Sequence, residues 1–263
     1  LAISVAVVLT IGSGLFMTRS TIASLLGGAF GVTSSSSAVQ LDKDLVGHWK
    51  LDGNTRDATP YANNGNLSTI TSSADRSGAA GSSYDTTTNS FVVVPNSATI
   101  QGKIYTYSFW INPVNAPTAA WRNILYKGTN EVATGRNPSL YLRPSDMYLH
   151  YMLSNGTTQF GIPASTIPLS LNQWSHVVLT SSGDSGTLNL YINGQLSDTY
   201  SHSETIVNNS DSFVFGEADF GFLDDIRKYN RVINPQVVSA LYESYSAGLK
   251  VSETQKGLMG HFK

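Results

Sequence analysis

The chain has 263 residues, 13% of them charged, a formal net charge of −2 and no cysteine. A balance this close to neutral, without a run of lysine or arginine, excludes a basic surface for nucleic acid or anionic lipid. The missing cysteines exclude a disulfide-stapled scaffold and point towards a prokaryotic protein rather than an animal extracellular module.

Leu1 to Thr18 carry no charge and are mostly apolar. As a helix they would span about 27 Å, close to the hydrocarbon core of a bilayer. They read as an export signal or a membrane anchor, and the two remain alternatives. Ser36 and Ala38 offer small residues for cleavage before Val39, while the run Thr33 to Ser37 (TSSSS) reads equally as a flexible tether. Residues 1–38 are therefore expected to stand apart from the domain and to place it outside the cytoplasm, secreted or anchored at the cell surface.

From Leu45 the pattern changes to short alternating runs rich in Gly, Ser, Thr, Asn and Tyr, the composition of strands joined by many turns. Gly47 to Leu51 alternates His48 and Lys50 against Trp49 and Leu51, which sends Trp49 into the core. The loop Asp52 to Gly65 is dense in carboxylates, amides and glycines, the oxygen chemistry that calcium prefers. Turn formation by the same residues is the alternative.

Further strands are predicted at Phe91–Val94, Tyr105–Asn112, Asn123–Tyr126, Ser139–Leu142 and Met147–Leu153. Tyr105, Tyr107, Phe109 and Ile111 make one core face and leave Trp110 on the other. An outward aromatic can stack on a sugar ring or lie beneath a covering segment, and covering is the preferred reading. The same question arises at Trp121, Arg122 and at Tyr148, His150, with the same preference. Trp110 and Tyr148 are nevertheless the candidate sugar contacts. Trp174, His176 and Val178 alternate along a later strand, which makes His176 a hydrogen-bonded structural residue. Asn193-Gly194 predicts a two-residue hairpin, since both positions tolerate positive φ.

The stretch Phe213–Tyr242 closes the domain with a strand, two adjacent acids and a short helix. Strict alternation puts Phe222, Asp224, Ile226 and Lys228 on one face and Leu223, Asp225, Arg227 and Tyr229 on the other. Asp224 is then buried and needs donors, a cation or a metal beside it, whereas Asp225 can pair with Arg227. Asn234 and Pro235 read as N-cap and first helical residue, with Val237, Val238, Leu241 and Tyr242 at helical spacing in a helix that caps the sandwich.

Leu223–Arg231 (LDDIRKYNR) and Leu241–Tyr242 resemble the closing strand and helix of laminin G-like domains of the concanavalin A-like group. The resemblance continues in order upstream, at Leu45–Gly53 (LVGHWKLDG), Tyr105–Pro113 (YTYSFWINP), Asn172–Leu179 (NQWSHVVL) and Leu188–Gly194 (LNLYING). It implies an all-β fold, an antiparallel two-sheet jelly-roll sandwich over residues 39–250. It also implies a structural Ca2+, with Asp52 and Asp224 as the ligands. Lys228 stands where the family has an apolar residue, so that end of the strand is expected to be more exposed.

Retaining β-glucanases of the same group carry Glu-x-Asp-x-x-Glu. Glu217 and Asp219 begin that pattern, but Phe222 stands where the closing glutamate belongs, so no catalytic carboxylate pair is expected. Leu258–Lys263 (LMGHFK) repeats Leu45–Lys50 (LVGHWK), which makes 251–263 a linker and the start of a second copy. Together these features predict a noncatalytic extracellular binding or adhesion module in a repeat array. Its expected partner is a polysaccharide, a cell-surface glycoconjugate or a protein. A structural spacer and an accessory domain of a glycan-degrading enzyme are the alternatives.

Overall fold

Two antiparallel sheets, set by the alternation of large apolar residues, build the domain. The computed structural model describes residues 39–246 except 68, 89–90, 116–117, 130–134 and 218. The signal or anchor within 1–38 and the repeat start at 251–263 lie outside the described residues. The strands are β1 (Leu45–Trp49), β2 (Ser72–Ser73), β3 (Ser83–Asp85), β4 (Val92–Val94), β5 (Ile104–Pro113), β6 (Arg122–Lys127) and β7 (Ser139–Leu142). They continue with β8 (Leu149–Ser154), β9 (Gln159–Ile162), β10 (Ser175–Ser182), β11 (Thr187–Ile192), β12 (Gln195–Ser201), β13 (Phe213–Phe215) and β14 (Gly221–Tyr229). One helix, α1 (Pro235–Ser246), follows β14.

The first sheet runs β12-β11-β10-β5-β14-β3-β2, with β1 also paired to β14, and the second runs β4-β13-β6-β7-β8-β9. Their facing sides form the main core. Trp49 and Phe109 are fully buried there, as alternation requires. The Trp49 ring packs 5.6 Å from Phe213 and 6.0 Å from Phe215, and its Nε1 donates to the Asn63 carbonyl at 2.8 Å. Burying a tryptophan thus leaves no orphaned donor.

A second, smaller core lies on the outer side of the first sheet, where Val237, Val238 and Leu241 of α1 pack on Val178, Tyr191, Tyr229 and Ile233. The Asn234 side-chain oxygen accepts from the Val237 N–H at 2.9 Å and Pro235 opens the helix, so the predicted cap is present. The helix covers a sheet face instead of closing an end of the sandwich. Asn193 (φ 51°) and Gly194 (φ 78°) form the predicted hairpin turn between β11 and β12.

Strict alternation fails in β14. The register shifts between Asp224 and Arg227, and Asp225 has φ 51°. This bulge adds a residue and resets the phase. Leu223 and Ile226 therefore both join the main core, while Asp224 is buried on the side of Trp110 and not with Ile226. The bulge also marks a fork. Phe222 and Leu223 pair with β3, and Ile226 to Tyr229 pair with β1.

Lys228 is also corrected, because it is 1% exposed. Its Nζ donates to the Thr99 carbonyl at 2.8 Å and to Asn230 Oδ1 at 2.6 Å, and lies 5.9 Å from the Tyr107 ring centroid. Fixed oxygen acceptors make the burial tolerable, at the cost of pushing its pKa down to about 7 through loss of hydration.

Candidate functional site

Trp110 is on the outer face of β5 and is covered, 5% exposed, as the preferred reading has it, which takes it away as a sugar contact. Tyr242 of α1 stacks on it at 5.9 Å, His176 lies 5.1 Å away, and the Arg76 guanidinium sits 4.9 Å over its ring. His176 is a buried structural residue, its Nε2 2.8 Å from Ser108 Oγ. Burial holds its pKa down at about 3, so the ring stays neutral. Tyr148 is half-buried in the β7–β8 connection, where its N–H donates to Asp146 and its carbonyl accepts from the Arg143 N–H.

Asp224 finds its cation inside the protein. Arg76 Nη1 bonds to its carboxylate, and Nη2 lies 3.7 Å from Asp225. Asp225 pairs with Arg227 at 3.3 Å, as expected, and also with His48 Nε2 at 2.5 Å. Burial pushes the Asp224 carboxyl up, Arg76 pulls it back, and Asp225, Asp75 and Asp52 add to the rise. Asp52 is thus close enough to Asp224 for their charges to interact, as the calcium reading requires.

The residues present do not fit that ion, however. Calcium takes six to eight oxygen ligands, and here a guanidinium fills the place beside Asp224. Among the described residues no group of three or more His, Cys, Asp or Glu could hold a metal ion. The carboxylates and amides of the first loop serve its turns instead. Asp57 accepts from the N–H groups of His48, Thr59 and Asn63.

The open chemistry lies on the outer face of the second sheet. With Leu140, Leu142, Leu149 and Tyr151 in the core, alternation turns Tyr141 and His150 outward. These two residues are direct cross-strand partners. Trp121, just before β6, is 51% exposed and leans over them, 4.7 Å from His150 and 5.8 Å from Tyr141. Three neighbouring strands thus contribute one aromatic patch.

A polar group lies beside the patch, with Arg136 and Tyr126 buried and Asn123 and Glu217 partly exposed. The Arg136 guanidinium lies 4.3 Å from the Tyr126 ring centroid and 5.5 Å from that of Tyr141. Its Nε donates to the Thr129 carbonyl at 2.9 Å. Asn123 Nδ2 donates to Glu217 at 2.9 Å. Burial and the neighbouring Glu217 carboxylate push the Tyr126 hydroxyl well up, so it remains a donor. Glu217 is therefore tied down by Asn123 and Tyr126, while Asp219 is exposed and bonds to Asn115. Phe222, at the position of the missing glutamate, packs against Trp174. The arrangement offers an apolar face for stacking with polar groups beside it.

The sequence did not single out Asn123, Tyr126, Arg136 or Tyr141, and its preferred reading covered both Trp121 and His150, whereas Trp121 is exposed. The signal lay in Tyr141, outward between Leu140 and Leu142, and in His150, outward between Leu149 and Tyr151.

No helix among the described residues is long and apolar enough to cross a membrane. No curated protein matches the chain. Among solved structures, the binding domain of Paraclostridial Mosquitocidal Protein 1 is 20% identical with a TM-score of 0.64, over 78% of this chain and 53% of that one. Domain 4 of AbnA, a GH43 extracellular arabinanase from Geobacillus stearothermophilus solved in complex with arabinotriose, is 19% identical with a TM-score of 0.57, over 76% and 98%. The Botulinum neurotoxin serotype D binding domain is 15% identical with a TM-score of 0.58, over 77% and 51%. This chain spans about half the length of the two toxin domains. At these identities the likenesses show the jelly-roll fold. The family Laminin_G_3, described as the Concanavalin A-like lectin/glucanases superfamily, matches residues 85–239, more than half of the sequence, and the chain belongs to it.

Proposed function

We propose that this chain is a noncatalytic carbohydrate-binding module, and that its contact surface is the outer face of the second sheet around Trp121, Tyr141 and His150. The half-exposed Trp121 carries this reading. An indole left open beside an imidazole and a phenol supplies the stacking face that a sugar ring needs, and the partly exposed Asn123 and Glu217 supply polar partners for its hydroxyls. The arabinotriose bound to AbnA domain 4 supports a glycan partner on this fold. Display outside the cell, as a secreted or anchored chain with repeated modules, completes the proposal. Repetition of weak sites on one chain would raise avidity.

A glycan array probed with the full chain and with Trp121→Ala, together with a reducing-sugar assay, tests the proposal. Glycan signal lost in Trp121→Ala, without sugar release, is the expected result. Sugar release that disappears in Glu217→Gln would make the domain an enzyme. Silence on every glycan would leave a structural spacer.

A further inference from the structure

We propose that His150 sets the specificity of this surface: its Nε2 accepts a hydrogen bond from a hydroxyl of a neutral sugar stacked on Trp121, and it turns away carboxylate-bearing sugars at neutral pH. The proposal rests on the glycan-binding reading above and deepens it.

The tautomer follows from one contact. His150 Nδ1 lies 3.0 Å from the Pro163 carbonyl oxygen. A carbonyl oxygen can only accept, so Nδ1 carries the proton and donates it. In the neutral ring, Nε2 is then left with a bare lone pair. No described residue donates to it, and the side chain is half-buried, not sealed. The acceptor therefore opens beside the exposed indole, whose ring centroid is 4.7 Å away. A pyranose or furanose needs this layout, since its C–H groups pack on an aromatic face and its hydroxyls project from the rim.

The surroundings keep the ring neutral. From β7 and the turn after it, His150 faces the uncharged Tyr141 and the cation Arg143, which is held 3.6 Å from Asp146. Just beyond β9, the Pro163 carbonyl meets the ring, and Trp121 carries no charge. Partial burial lowers the imidazole pKa, Arg143 lowers it further, and the Pro163 carbonyl only partly opposes them. A bare lone pair repels a carboxylate oxygen and welcomes a hydroxyl proton. The protonated ring instead attracts a carboxylate oxygen, and a hydroxyl can still turn to accept from it.

Two measurements on the full chain test this. Two-bond 1H–15N correlations of the 15N-labelled protein should show His150 with its proton on Nδ1 at pH 7.5 and a titration below that of a free histidine. A proton on Nε2, or a charged ring at pH 7.5, overturns the proposal. The second measurement is a glycan array carrying neutral oligosaccharides, arabinotriose among them, and uronic- and sialic-acid oligosaccharides, read from pH 7.5 down to pH 4.

Signal on acidic glycans should rise about three- to tenfold, the worth of one hydrogen bond, along the titration of His150 seen by NMR. Signal on neutral glycans should change less over the same interval, because a hydroxyl can accept from the protonated ring. His150→Phe, which keeps a ring against Trp121, should bind neutral glycans about three- to tenfold more weakly at every pH and show no rise on acidic ones. If Trp121→Ala abolishes binding while His150→Phe keeps the wild-type strength and pH profile, the surface stands and the role of His150 is overturned. Binding indifferent to both substitutions, or silence on the whole array, overturns the surface as well.

Discussion

The Arg76 guanidinium is bonded to the Asp224 carboxylate at the fork where β14 leaves β3 and joins β1. The two residues are 148 positions apart in the chain. Their contact supplies the cation that a buried carboxylate requires, and Arg76 also covers Trp110, so one side chain closes the fork and seals an aromatic beneath it.

Removing that guanidinium should be costly. Arg76→Met leaves Asp224 buried without its cation, and urea unfolding should show a loss of about 3–5 kcal/mol. Adding Asp224→Asn should recover much of the loss. The wild-type melting temperature should be the same in calcium chloride and in chelator. A rise with calcium would show that an ion, and not Arg76, holds the fork.

The two outward tryptophans should part company. Trp110→Ala removes a ring covered by Tyr242 and Arg76 and should cost about 3–5 kcal/mol in chemical denaturation. Trp121→Ala removes an exposed ring and should change stability by less than about 0.5 kcal/mol. Equal losses would place Trp121 in a packing role and remove the proposed contact surface.

Lys228 gives the protein a pH signature. Its folded pKa is about 7, against 10.5 in the unfolded chain, so between these values the unfolded state holds one more proton than the folded state. Stability should therefore rise with pH through this window. Lys127, pushed down to about 8 by burial, adds a rise of the same sign above pH 8. Melting curves from pH 6 to pH 9.5 should show the increase in wild type and a smaller one in Lys228→Met. Identical profiles would mean that Lys228 keeps its proton in the fold.

The β11–β12 turn should be intolerant of a side chain. Gly194 has φ 78°, and a Cβ there would come 3.2 Å from the Tyr242 ring. Gly194→Ala should cost about 1–2 kcal/mol from the left-handed backbone alone. Asn193→Gly, which keeps the turn geometry available, should cost less. The comparison can be read by thermal denaturation of both variants.

Much of the fold was legible in the sequence because alternation and turn chemistry are local. The period of two through Tyr105, Tyr107, Phe109 and Ile111 marks a core face whatever the rest of the chain does. Asn193-Gly194 and Asn234-Pro235 each carry their own backbone preference, and each appears where expected. Asp224 is buried as expected, but beside Trp110 and Arg76 and not with Ile226, so alternation gave the result without the reason.

Which outer face would be covered was not legible, because that depends on where distant segments land. Helix α1 and Arg76 settle over Trp110 and leave Trp121 open, although both tryptophans lie outside the main core. A bulge at Asp225, needed where β14 changes partners, carries no local pattern and moves Ile226 away from the face of Asp224. Lys228 can be buried because Thr99 and Asn230 bring oxygens to it. The patch of Trp121, Tyr141 and His150 exists because β6, β7 and β8 align side by side. Alternation is a property of one strand, whereas cover, counterions and cross-strand patches belong to pairs of segments that meet only in the folded sandwich.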